Sequence, residues 1–189
     1  YVKFFLEAFG LSKNEVPQVQ CRLSEYDSLS WTAHAPYSTS PELITTLKKR
    51  SASMGELFPI HVAESADEIE FLESGTGRFY TFLNQRLRET CGDSTPSISS
   101  IFKPPGCSAV RYLSELEVLD SNTLCVHSVH VDNYDIDLLS SHGASVCLCP
   151  ASNRFLGVGI APAEKFVNAG VKTCLGTDSL ASNSSLSIW

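Results

Sequence analysis

The chain has 189 residues, 43% of them hydrophobic, and a formal net charge of -7. That apolar content suffices for a packed core and excludes disorder, and an acidic balance with no basic run longer than "KKR" (48–50) excludes electrostatic capture of nucleic acid or an acidic membrane. No apolar run reaches the roughly 20 residues of a membrane span and no signal peptide opens the chain, so a soluble, cytoplasmic protein acting on a small molecule is expected, with room for a homo-oligomer.

In chain order, strand-length apolar runs alternate with helical patterns, which predicts βα units and a parallel sheet. "YVKFFLEA" (1–8) and "LSWTAH" (29–34) read as strands; then Ser40 as N-cap and Pro41 in the first turn open a helix with Leu43, Ile44 and Leu47 on one face. A third strand, "FPIHVA" (58–63), leads to a helix from Asp67 with acids in its first turn and Gly75 after its last. The rhythm then breaks. Within 75–122, the Pro, Gly and Ser of "GDSTPSISSIFKPPGCS" (92–108) rule out a long regular element and predict a lid or insertion over a pocket. A fourth strand, "TLCVHSV" (123–129), precedes a helix from Asp132 to Gly143; a fifth, "ASVCLCP" (144–150), precedes a helix from Pro162 to Gly170; and "VKTCLGTD" (171–178) makes six.

Seven cysteines make an odd number, and Cys125, Cys147, Cys149 and Cys174 sit in the strand-like runs, where thiols pack as small hydrophobes. They read as reduced. In "CLC", alternate residues share one face with no turn between them, so core packing outweighs a zinc reading.

The chemistry-bearing residues share one position. His34, His61, His127 and Asp178 all fall at or near the carboxyl ends of strands, where parallel barrels and sheets bind ligands. His61 and Asp178 can give a metal an imidazole and a carboxylate from different strands. Glu64, three residues past His61, either leans over the same mouth as a proton carrier or belongs to the acidic first turn of the next helix, and spacing leaves both readings open. In "CVHSVHV", His127 closes the strand and His130 enters the loop, so His127 is the one expected in the pocket. His142, beside Gly143, reads as a partner of a helix C-terminus. A nucleophilic Ser179 is disfavoured, since no G-x-S-x-G elbow surrounds it.

"HAPYSTSPEL" (34–43), "HVAES" (61–65), "VHSVHVD" (126–132), "CPASNRFLGVGIAP" (149–162) and "LGTDSLASNSSLS" (175–187) together resemble the amidohydrolase superfamily. The similarity is to its branch of mononuclear-zinc deaminases and chlorohydrolases, which includes S-adenosylhomocysteine, 5'-methylthioadenosine, guanine and aminodeoxyfutalosine deaminases. The resemblance implies an α/β fold of the (β/α)8 TIM-type barrel class, present as a partial chain of about strands 3 to 8, with 1–189 part of one barrel domain. It implies one Zn2+, or Fe2+ in some relatives, held by His61 and Asp178. Glu64 would shuttle protons, His127 would polarise the attacking water, Asp178 would join in catalysis, and His34 and Asn153 would contact substrate. The family's H-x-H pair has no counterpart in these 189 residues and is expected upstream of Tyr1. The implied reaction is hydrolytic deamination of a purine-type ring, with 5'-modified adenosines favoured. A chlorohydrolase or other cyclic C–N hydrolase, a guanine deaminase and a non-catalytic scaffold are the alternatives.

Overall fold

The computed structural model describes residues 2–11, 29–91 and 96–188; Tyr1 of the first expected strand, Gly92 to Thr95 of the expected insertion and Trp189 lie outside them. Six strands form in the six expected places. β1 (Phe5–Ala8) pairs in parallel with β2 (Ser30–Ala33), from Phe5 opposite Ser30 to Ala8 opposite Ala33. β3 (Phe58–Val62), β4 (Thr123–His127), β5 (Ser145–Leu148) and β6 (Lys172–Leu175) form a parallel sheet in chain order. The two sheets meet where the His61 N–H donates to the His34 carbonyl at 3.0 Å and the Thr32 hydroxyl donates to the Pro59 carbonyl. Six parallel strands therefore follow one another sideways, as in the arc of a (β/α)8 barrel.

Strand alternation builds the core. In β3, Phe58, Ile60 and Val62 are buried while Pro59 and His61 turn to the other face, and in β4 Cys125 lies beside Ile60. Helix α1 (Pro41–Ser53) packs Leu43, Ile44 and Leu47, all fully buried, against this layer; each such burial contributes about 2 kcal/mol. Its start follows from chemistry, because the Ser40 hydroxyl accepts the Leu43 N–H and Pro41 has no N–H to leave unpaired.

Helix α2 (Ala66–Ser74) begins one residue before Asp67, because Ser65 is the cap and accepts the Glu68 N–H. Gly75 ends it at φ 70°, and a side chain there would collide with Pro104 at 2.5 Å. The span 75–122 carries α3 (Gly77–Cys91), a single turn α4 (Ile98–Ile101) and α5 (Ala109–Glu115). Among its described residues the Pro- and Ser-rich stretch thus holds one short turn, while α3 is a 15-residue helix that the sequence did not predict. After β4 comes α6 (Asn133–His142), where Asp132 and Asp135 form a reciprocal capping box. Helices α7 (Pro150–Leu156) and α8 (Ala163–Asn168) flank the loop before β6. Among the described residues, no helix is long and apolar enough to cross a membrane.

Candidate metal centre

The carboxyl ends of β2, β3, β4 and β6 converge, and the chain turns sharply there. Five non-glycine residues in the described chain have positive φ, and four of them, Ala63 (52°), His127 (73°), Ser128 (48°) and Asp178 (59°), lie just at these ends. Such conformations cost of order 1–3 kcal/mol each and persist where surrounding contacts impose them. They also aim side chains. Register pairs His127 with Val62, so alternation alone would send it to the helix-facing side with Cys125. The pleat ends at its positive φ, and its ring instead stacks against that of His61 at 5.5 Å between centroids.

Ligand atoms of His61, His127 and Asp178 all lie within 4.8 Å of one another, a spacing that could hold a metal ion. Each imidazole is turned by a bond on its rear nitrogen. His61 Nδ1 donates to the His34 carbonyl at 3.0 Å, with Glu7 Oε1 at 3.4 Å, and His127 Nδ1 donates to Asn153 Oδ1 at 2.9 Å. Carbonyl-type oxygens only accept, so both rings carry their proton on Nδ1 and leave Nε2 as the lone-pair donor. His127 Nε2 faces Glu64 Oε1 at 3.6 Å and Asp178 Oδ2 at 3.9 Å. Two imidazoles and two carboxylates gathered at one mouth suit a borderline divalent cation such as zinc.

Asp178 is held by serines. Ser152 and Ser182 each donate a hydroxyl to Oδ2 at 2.6 Å, and the Ser179 N–H donates to Oδ1 at 2.8 Å. Burial acts to raise this carboxyl, but those three bonds and nearby His127 outweigh it and hold the group below the usual carboxylate range. It is therefore ionised at neutral pH. Glu64 leaves β3 after the turn at Ala63, and the buried Glu68 carboxylate accepts the N–H groups of Ala63 (2.9 Å) and Glu64 (2.8 Å).

His34 stands just past β2, its Nδ1 on the Ser38 hydroxyl at 2.7 Å and its ring stacked on Phe9 at 4.3 Å. Burial, with repulsion from His61 second, pushes it down to about 4, which keeps it neutral. Asn153, expected to contact substrate, is buried behind His127 with its oxygen on that ring. His130 Nε2 donates to the Val158 carbonyl at 2.7 Å, and His142 Nδ1 donates to the Leu138 carbonyl at 2.8 Å near the end of α6. A cavity of about 780 Å³ lined by Leu148, Arg154, Ile160, Ala163 and Leu175 shares only Asn153 with the candidate residues. The sequence reading missed Glu7, Glu68, Ser152 and Ser182. Only Glu68 left a local signal, the S-x-x-E spacing from Ser65.

Comparison with known proteins follows the same line. A family model described as "Amidohydrolase family" matches residues 28–189. The chain is 35% identical over 153 residues to a 5-methylthioadenosine/S-adenosylhomocysteine deaminase of Pelotomaculum thermopropionicum, covering 81% of this chain and 29% of that protein. It is 33% identical over 160 residues to an aminodeoxyfutalosine deaminase of Deinococcus radiodurans, covering 85% and 38%. The chain thus spans roughly a third of the length of these relatives. Among solved structures, Helicobacter pylori aminofutalosine deaminase superposes with a TM-score of 0.78 at 24% identity, over 96% of this chain and 46% of that one. A triazine hydrolase variant gives 0.70 at 17%, over 98% and 40%. At these identities the structural likeness establishes the barrel fold alone, in which this chain is a partial domain.

Proposed function

The chain belongs to the amidohydrolase family, and on that premise we propose that the complete protein is a metal-dependent hydrolytic deaminase of a purine-type ring, with a 5'-modified adenosine as substrate. The observation that carries this reading is the approach of His61, His127 and Asp178 to within 4.8 Å, with Glu64 beside His127. In this reading His61 and Asp178 hold the ion, with Zn2+ as its identity, in keeping with the nitrogen and carboxylate donors. When bound, such an ion supplies Lewis-acid activation of water, whose pKa it can bring to about 7.

The protein's own groups handle the protons. Glu64 takes a proton from water and delivers it to the ring nitrogen beside the amino-bearing carbon, which makes that carbon more electrophilic. Water oxygen replaces the amino group, which takes the second water proton and leaves as ammonia. His127, kept with Nε2 as acceptor by Asn153, orients the attacking water, so Asn153 acts through His127. Neutral His34 contacts the substrate ring. Phe79 of α3 stacks on Tyr37 at 4.5 Å beside His34, which supports 75–122 as cover for the mouth. Cys107, Cys125, Cys147, Cys149 and Cys174 are free thiols, which favours the cytoplasm.

The test is ammonia release by the full-length protein, zinc-loaded and chelator-stripped, across 5'-modified adenosines, guanine and a chlorotriazine. Zinc-dependent ammonia from one adenosine is the expected result; chloride release from the triazine with no ammonia would replace the deaminase by a chlorohydrolase. Glu64→Gln should abolish turnover with zinc content unchanged, and surviving turnover would remove Glu64 from the shuttle role.

A further inference from the structure

Glu68 has no part in the chemistry above, yet it is fully buried and forms no ion pair among the described residues. An ionised carboxyl in that setting is costly unless hydrogen-bond donors surround it. Its donors are specific. In a simple capping box, a glutamate at the third helical position returns to the N–H of the cap residue, here Ser65. Glu68 reaches further back, one oxygen to the Ala63 N–H at 2.9 Å and the other to the Glu64 N–H at 2.8 Å, with Ser65 facing it as well.

Those two N–H groups belong to the turn that carries Glu64. Ala63 follows the last residue of β3 with φ 52°, a conformation that alanine does not adopt unforced. On the opposite side of the same turn, the Ala63 carbonyl accepts two N–H groups, from Val129 and His130, each at 2.9 Å. The loop after β4 and the Glu68 carboxylate thus grip the turn from its two polar sides. Between them lies the residue whose carboxylate faces His127 Nε2 at 3.6 Å.

We propose that Glu68 is a positioning residue: its two carboxylate oxygens clamp the N–H groups of Ala63 and Glu64, lock the left-handed turn after β3 and so aim Glu64 at His127. This rests on the deaminase reading only in giving Glu64 the proton-carrying role. Glutamine at this position keeps the length but offers one oxygen and a donor NH2, so one of the two N–H groups loses its acceptor. Glu64 is then free to leave its aim while the metal-facing groups are untouched.

The experiment uses the full-length, zinc-loaded protein with the adenosine that yields most ammonia. Glu68→Gln is expected to lower kcat by about 10- to 100-fold, with KM within about twofold and zinc per chain unchanged. Full kcat in the variant, or a loss matched by a loss of zinc, overturns the proposal. Amide exchange on the wild-type protein needs no variant to fold: the Ala63 and Glu64 amides should exchange as slowly as those of β3, and exchange at the rate of an open loop also overturns it. If wild type releases no ammonia from any substrate, the deaminase reading fails, and amide protection still decides the clamp.

Discussion

At the scale of the residue, the site is made by side chains whose rear atoms are fixed. Asn153 fixes the proton of His127 at 2.9 Å, so Asn153→Ala should lower kcat by about 10- to 100-fold while folding persists. Steady-state kinetics alongside a melting curve would check it, and an unchanged kcat would mean that His127 needs no such partner. Glu68 makes a second prediction. Burial, aided by repulsion from Glu64 and opposed by its N–H partners, pushes its carboxyl up from 4.5 to about 7. Between those pH values the native chain keeps a proton that the unfolded chain releases, so Glu68's contribution to stability falls as pH rises through that window. Wild type should therefore lose melting temperature relative to Glu68→Gln between about pH 5 and pH 8; a gap moving the other way would show the carboxyl is not raised. His34, His61, His127 and Asp178 could be placed at one mouth from the sequence because each lies at or near the end of a strand-like run, whereas spacing left Glu64 open between that mouth and the next helix. Their partners could not be placed. Asn153 meets His127 across 26 positions and Ser152 meets Asp178 across another 26, and no local pattern announces a pairing made by tertiary folding.

At the scale of the element, six apolar runs were enough to place six parallel strands, because each is bounded by a cap, a proline or a glycine. Helix α3 escaped notice for a physical reason. Phe79, Tyr80, Leu83 and Leu87 share one face that packs only partly against the core, and the Pro, Gly and Ser content of the stretch after it governed the expectation for the whole span. The turn that directs His127 was not legible either, because a positive φ at a strand's last residue overrules alternation. The β5–β6 pair carries its own prediction. A side chain at Gly176 would stand 2.7 Å from Cys147 Sγ and 3.1 Å from Cys149 Sγ, both on the face that Cys174 shares. Gly176→Ala should cost about 1–3 kcal/mol by overpacking, measured by denaturant unfolding. Cys147→Ala in the same background should return part of it, and the absence of any recovery would mean that the thiols are not the obstruction.

At the scale of the whole molecule, the described strands form an open arc with β1 and β6 at its edges. Leu175 of β6 and Ile160, the latter 93% exposed, line the apolar cavity of about 780 Å³. Open strand edges and apolar faces promote association. Residues 1–189 expressed alone should therefore self-associate, as sedimentation would show; a monodisperse monomer would mean that this arc closes on itself.

His61 and His127 carry their ring protons on Nδ1, one against a backbone carbonyl and the other against an amide oxygen. In the proposed centre an entering cation would meet the His61 lone pair and an ionised Asp178 steadied by two serines, with the His127 lone pair turned toward the water it orients. No tautomer exchange or ring flip has to precede capture. The speed of loading then depends on how fast the ion sheds its own water, a property of the metal more than of the protein.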